Sequence, residues 1–164
     1  MASSHFNSAL IVGAGSGLSA ALARALAADG VKVALAARST EDLAPLAQEI
    51  GARSFACDAS DRAQVDKLFA ELDAHFGAPE IAIYNASFRT RGALIELDPA
   101  EVRNALMVSA YGGFLVGQQA ARRMLPKQRG VILFTGASAS VKGYAQSAPF
   151  AMGRSEERRV GKEC

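Results

Sequence analysis

The segment Ala9-Leu10-Ile11-Val12-Gly13-Ala14-Gly15-Ser16-Gly17-Leu18-Ser19 carries the strongest chemical signal in the sequence. Apolar residues run into a glycine-rich turn, after which Leu18, Ala21, Leu22, Ala25 and Leu26 recur at helical spacing. A strand, a glycine turn and a helix N-terminus in that order make a receptor for an anion. The first-turn N–H groups of a helix lack intrahelical acceptors and carry partial positive charge, and glycines let a pyrophosphate approach the backbone closely. Gly13, Ser16, Gly17 and Leu18 are the candidate cradle residues. The common G-x-G-x-x-G pattern fails, because Leu18 stands where its third Gly belongs; the spacing that fits is Gly13-x-x-x-Gly17-x-Ser19.

Such a cradle must be held by a sheet, and the chain alternates strand and helix signals throughout. After the first helix, stopped by Asp29-Gly30, residues 31–36 read as a second strand. Ser39 is placed to cap a helix with the stripe Leu43, Leu46, Ala47 and Ile50, ended by Gly51. Residues 54–57 form a short third strand, followed by an amphipathic helix through Val65, Leu68, Phe69, Leu72 and Phe76, then a fourth strand at 81–84. Asp98-Pro99-Ala100-Glu101 is a capping box that opens a helical region to about Met124, with Gly112-Gly113 a candidate bend. Residues 131–134 are a fifth strand whose apolar run suits a parallel sheet covered on both faces. The expected fold class is α/β, a Rossmann-like doubly wound parallel sheet.

Ligands of such sheets lie beyond the carboxyl ends of the strands. After the second strand, where an acidic residue would accept from the ribose hydroxyls of NAD, the chain has Ala37 and then Arg38. Arg38 suits a 2′-phosphate; a charge-assisted bond of about 1.5–3 kcal/mol favours NADP over NAD by roughly ten- to a hundredfold. Asp58-Ala59 follows the third strand, with Asp58 or Ser60 free to cap the next helix. Tyr84-Asn85-Ala86-Ser87 ends the fourth.

The glycine spacing resembles the T-G-x-x-x-G-x-G turn of the short-chain dehydrogenase/reductase family, with Val12 for Thr and Ser19 for the last Gly. Residues 84–87 resemble that family's N-N-A-G motif, and the resemblance runs from about residue 8 to residue 153. It implies an NADP-dependent oxidoreductase that moves hydride between nicotinamide and a carbonyl or alcohol carbon. Asp58 would contact the adenine amino group, Ala59, Asn85 and Ala86 would be further cofactor-binding residues, and homo-oligomers would be common.

The family's proton chemistry uses a Tyr, a Lys four residues later, a Ser thirteen earlier and an upstream Asn. Those positions fall on Phe150, Arg154, Ala137 and Ser109, so none of the four family residues is present. Phe has no proton to give, and Arg does not deprotonate in a protein. Ser138, Ser140 and Tyr144 are the available hydroxyls nearby, although Ala148 stands where a lysine partner of Tyr144 would be needed. Three function classes follow: an NADP-preferring oxidoreductase of this type with its chemical half altered or cut away, a non-catalytic dinucleotide-binding or sensor protein, and a ligand-free structural module.

Composition sets the outer bounds. At 164 residues, 50% hydrophobic and 21% charged with net charge +2, the chain fits one globular domain and offers no basic patch for nucleic acid. No signal peptide or membrane span is read, which makes a cytoplasmic protein the expectation. Cys57 and Cys164 are too few for a disulfide framework or metal site; His5 and His75 are isolated.

Residues 154–164 depart from the rest, with four basic and three acidic residues and no apolar stripe. The expectation is a domain over 1–153 and a disordered or non-native tail, the latter because Arg154 to Cys164 resembles the translation of a sequencing-library adapter. On that reading Arg154 is not a natural replacement for Lys, because the native codon there was never read, and the sheet is incomplete after its fifth strand. Family members continue with a helix, two strands and a substrate-covering segment. An apolar edge at 131–134 then implies poor solubility.

Overall fold

A computed structural model of the chain describes residues 6–163, with side chains as far as Ser155. Five strands, β1 (Ser8–Val12), β2 (Lys32–Ala37), β3 (Arg53–Ala56), β4 (Ile81–Tyr84) and β5 (Val131–Phe134), form one parallel sheet in the order β3-β2-β1-β4-β5. The chain winds outward from β1 in one direction through β2 and β3, then crosses to β4 and β5 on the other side. That reversal opens a crevice at the carboxyl ends of β1 and β4.

Alternate side chains of β1 go to opposite faces, and each face has its own core. Leu10 and Val12 join Phe55, Tyr84 and the inner faces of α3 (Arg62–His75) and α5 (Gly112–Met124). Ala9 and Ile11 join Val33, Leu35, Ile81 and Ile83 beneath α1 (Leu18–Ala28) and α2 (Ala44–Ile50). Burial on both sides explains why the first strand reads as an unbroken apolar run rather than an alternating one.

The edge strand departs from that expectation. Leu133 is 47% exposed and the rest of β5 is only half-buried, because an edge strand has one neighbour, β4, among the described residues. β2 and β3 each sit one residue from their expected bounds, as the ladders with their neighbours require.

Helix entries are the other corrections. Ser39 does not cap α2: a 3-10 turn (Glu41–Leu43) leads into it and the Ser39 hydroxyl bonds the Glu41 carboxylate instead. Pro45 has no N–H and suits the first turn that Ala44 opens. Gly51 ends α2 at φ 65°, as expected. α3 is capped by neither Asp58 nor Ser60 but by Asp61, whose carboxylate accepts from the amides of Ala63 and Gln64. Asp98 caps α4 (Pro99–Leu106) through the Ala100 amide.

Between α4 and α5 lies a π turn (Met107–Tyr111), so the irregularity precedes the Gly112-Gly113 pair. Gly112 permits close approach: a Cβ there would sit 2.3 Å from the Tyr84 hydroxyl and 2.7 Å from the Ala59 carbonyl. Tyr84 in turn donates its hydroxyl to the Val108 carbonyl of the π turn. A final helix, α6 (Ala148–Glu163), continues through residues 154–163. The backbone there is helical, contrary to the expectation of disorder, in keeping with the good helix propensity of Glu, Arg and Lys. Cys164 and His5 lie outside the described residues. Among the described residues no helix is long and apolar enough to cross a membrane.

Candidate dinucleotide site

The glycine turn is built by a conflict that only glycine resolves. Gly13 has φ 80°, and a Cβ on it would lie 2.2 Å from the Ala86 amide nitrogen and 2.4 Å from the Ala86 Cα. The amides of Gly13 and Ala14 both donate to the Ala36 carbonyl, at 2.9 and 3.0 Å, which carries the chain off β1 toward β2.

A side-chain clasp then fixes the turn from behind. The Ser19 hydroxyl donates to the Gly13 carbonyl at 3.0 Å, and the Asn85 amide donates to the Ser19 hydroxyl at 2.8 Å and the Gly13 carbonyl at 3.3 Å. Ser19, standing where the family turn has its last Gly, is buried and joins α1, the turn and the end of β4. The amides of Gly15, Ser16 and Gly17 meet no protein acceptor among the described residues, and Gly17 begins α1 with no side-chain cap. Free N–H groups at a helix start are what an anion requires.

These features open on a cleft of about 760 Å³ at the carboxyl ends of β1 to β4, a size within the range of small-molecule sites. Of the residues expected from sequence, Gly13, Ser16, Arg38, Asp58, Ala59, Asn85 and Ala86 line it; Gly17 and Leu18 do not, and Leu18 is 53% exposed. Arg38 is exposed and forms no ion pair among the described residues. One Asp58 carboxylate oxygen accepts from the Ser60 amide and hydroxyl at 2.9 and 2.7 Å, which orients the group.

Sequence reasoning missed Ser39, Asp42 and Leu43, which follow Arg38 along the chain, and Cys57, Phe88 and Val108, all of which line the cleft. The rule of inspecting strand ends, carried a few residues further, reaches all but Val108, which arrives from the π turn. The Ser39 hydrogen bond, with the amide bonds around it, holds the Glu41 carboxyl below its ordinary value. Burial, with Asp58 and Asp61 adding to it, pushes the Cys57 thiol up to about 12.

The segments that carry the family's proton-transfer positions also meet, since α6 packs on the π turn and on a 3-10 turn (Ser138–Ser140). Ser109 is fully buried, its hydroxyl without a partner among the described residues, and it lies against Gly153, where a Cβ would come within 2.7 Å of the Ser109 Cβ. Ala137 opens the 3-10 turn and accepts from the Ser140 hydroxyl at 2.8 Å, so Ser140 serves the turn. Phe150 is 9% exposed, with the Arg89 guanidinium over its ring at 4.3 Å and that of Arg154 at 5.4 Å. Arg154 is buried, one Nη donating to the Thr135 carbonyl at 2.6 Å. Tyr144 donates to Ser138 at 2.9 Å; both are exposed and neither lines the cleft. Among the described residues no group of three or more His, Cys, Asp and Glu is placed to hold a metal.

The chain matches the short chain dehydrogenase family over residues 7–153. It is a member of that family. A similar curated protein is the 3-oxoacyl-(acyl-carrier-protein) reductase MabA of Mycobacterium avium, 31% identical over 163 residues, covering 94% of this chain and 62% of the relative. The chain thus spans less than two thirds of that relative's length. Among solved structures, a short-chain dehydrogenase from Rhodopseudomonas palustris is 31% identical with a TM-score of 0.88, covering 96% of this chain and 76% of the other. A gluconate 5-dehydrogenase from Burkholderia cenocepacia J2315, in complex with NADP and tartrate, is 30% identical with a TM-score of 0.90, covering 96% and 64%. The Rossmann-like sheet and its crevice are those of this short-chain family.

Proposed function

We propose that this chain binds NADP(H) in the cleft and is part of an oxidoreductase acting on a carbonyl or alcohol substrate. The observation that carries the reading is the convergence of the glycine turn, Arg38, Asp58 and Asn85, from four different strand ends, on one cleft. The chain's own residues fit the group: free amides at residues 15–17 suit the pyrophosphate, and an unpaired guanidinium at Arg38 suits a 2′-phosphate. When bound, the reduced nicotinamide supplies hydride. Gly13 and the Ser19–Asn85 clasp keep the turn in shape before the ligand arrives, so little ordering cost falls on binding. The NADP complex of the Burkholderia relative supports the choice of nucleotide.

Titration of the chain with NADPH and NADH, followed by nucleotide fluorescence, tests this. NADPH is expected to bind ten- to a hundredfold more tightly, with Arg38→Gln removing most of that preference. Equal affinity for both nucleotides, or no binding of either, would sink the reading.

A second reading, a dinucleotide-binding protein without turnover, is favoured by Phe150 and Ala137 at the proton-transfer positions. Binding without NADPH oxidation across a carbonyl panel, with turnover gained on Phe150→Tyr, would favour it. The family match ends at residue 153, where the adapter-like tail begins. That coincidence supports reading residues 154–164 as foreign to the family, and resequencing the source gene in an independent library tests it.

A further inference from the structure

We propose that Arg89, seated on the Phe150 ring, is the receptor for a carboxylate on the substrate, so that the carbonyl or alcohol substrate is an organic acid. The inference rests on the oxidoreductase reading above and adds the substrate class. The place is decisive first. Ser87 and Phe88 line the dinucleotide cleft, and Arg89 is the next residue in the loop after β4. Phe150, buried in the first turn of α6, stands at the family's proton-donor position. The two segments are tied where the Gly92 amide donates to the Gln146 carbonyl at 3.4 Å.

The chemistry follows from what Arg89 contacts and what it lacks. Its guanidinium carbon lies 4.3 Å from the Phe150 centroid, a cation–π contact that uses the ring face and leaves the N–H donors free. Among the described residues the Arg89 side chain has neither an ion pair nor a hydrogen bond, as is also true of Arg38, Arg91, Arg103 and Arg122; what sets Arg89 apart is the ring that holds it. A positioned, unpaired guanidinium fork matches the two oxygens of a carboxylate, and a phenyl ring in place of a phenol contributes no competing polar group.

The test is calorimetric titration of the full chain with malonate, inorganic phosphate and NADPH, each separately. Malonate is expected to bind, Arg89→Gln to weaken it roughly ten- to a hundredfold, and Arg89→Lys to fall in between, because an ammonium keeps the charge but cannot make two parallel bonds. Arg103→Gln, an exposed charge loss on α4, is expected to leave malonate affinity within twofold. Arg89 is exposed, so its variants fold, which circular dichroism checks. Binding of NADPH without malonate overturns the inference alone, as does malonate affinity unmoved by Arg89→Gln or phosphate bound more tightly than malonate. Binding of neither NADPH nor malonate overturns both readings.

Discussion

Gly13→Ala is the sharpest test of how the cradle is made. Two separate costs arise. An L-residue at φ 80° pays for left-handed backbone, about 1–2 kcal/mol. Its Cβ would also sit 2.2 Å from the Ala86 nitrogen and 2.8 Å from the Ala86 Cβ, far inside the ~3.5–4.0 Å of ordinary contact. The atoms in the way are mostly backbone at the end of β4, so relief requires the strand end to move; overpacking of this kind costs about 1–3 kcal/mol. Together the substitution is expected to remove about 2–5 kcal/mol, a large part of the ~5–15 kcal/mol that holds a domain together. Urea unfolding followed by circular dichroism reads it directly: with a slope of roughly 1–3 kcal/mol/M, the midpoint falls by on the order of 1–2 M. NADPH affinity is expected to fall in parallel, because the movement pulls Asn85 from its bond to Ser19. Gly136→Ala is the control, since a Cβ there meets nothing within 4 Å and φ is not left-handed; it is expected to stay within about 0.5 kcal/mol of wild type. If Gly13→Ala matches Gly136→Ala, the steric account of the turn is wrong.

Three further outcomes are expected. Asp61→Ala removes the α3 cap and is expected to cost about 0.5–2 kcal/mol in the same urea assay, whereas Ser60→Ala costs less, because Ser60 caps nothing. The Glu80 carboxyl is held below its ordinary value by the Asn7 amide foremost, with Arg129 adding to it. Its contribution to stability is therefore present above the unfolded value, about 4.3, and is lost as pH falls through the lower folded value. Wild type and Glu80→Gln should differ by a constant amount above about pH 5 and converge in acid; a gap that widens in acid contradicts the assignment. Finally, Cys57 on a Cys164→Ser background is expected to resist thiol labelling at pH 8 when folded and react promptly in denaturant, because burial lifts its thiol to about 12. Prompt labelling of the folded chain would mean that the thiol is not shielded.

Much of this molecule is written locally. Runs such as residues 9–12 and 81–84 are apolar at every position because both faces are covered, and their lengths mark strands without reference to any partner. The spacing of Gly13, Gly17 and Ser19, and the residue types that follow each strand, were enough to nominate Arg38, Asp58 and Asn85 and to name the family. Gly51 and Asp98 work as helix boundaries for the same reason: a cap acts on amides and carbonyls within one turn of itself.

Tertiary structure decided whatever depends on a partner distant in sequence. Asp61 rather than Asp58 caps α3, because Asp58 turns toward Ser60 at the cleft while Asp61 meets the helix amides. The π turn, Val108 on the cleft wall and the fit of Gly112 against Tyr84 follow from how close α5 comes to β4, a distance no periodicity records. The Ser19–Asn85 clasp and the placing of Arg89 over Phe150 join residues 66 and 61 positions apart. Hydrophobic period and glycine conformation are properties of a few consecutive residues, so sequence alone fixes the elements and the glycine turn. Which side chains then face one another is set by strand order and helix crossing, and there the sequence supplied the residue types while the packing supplied their roles.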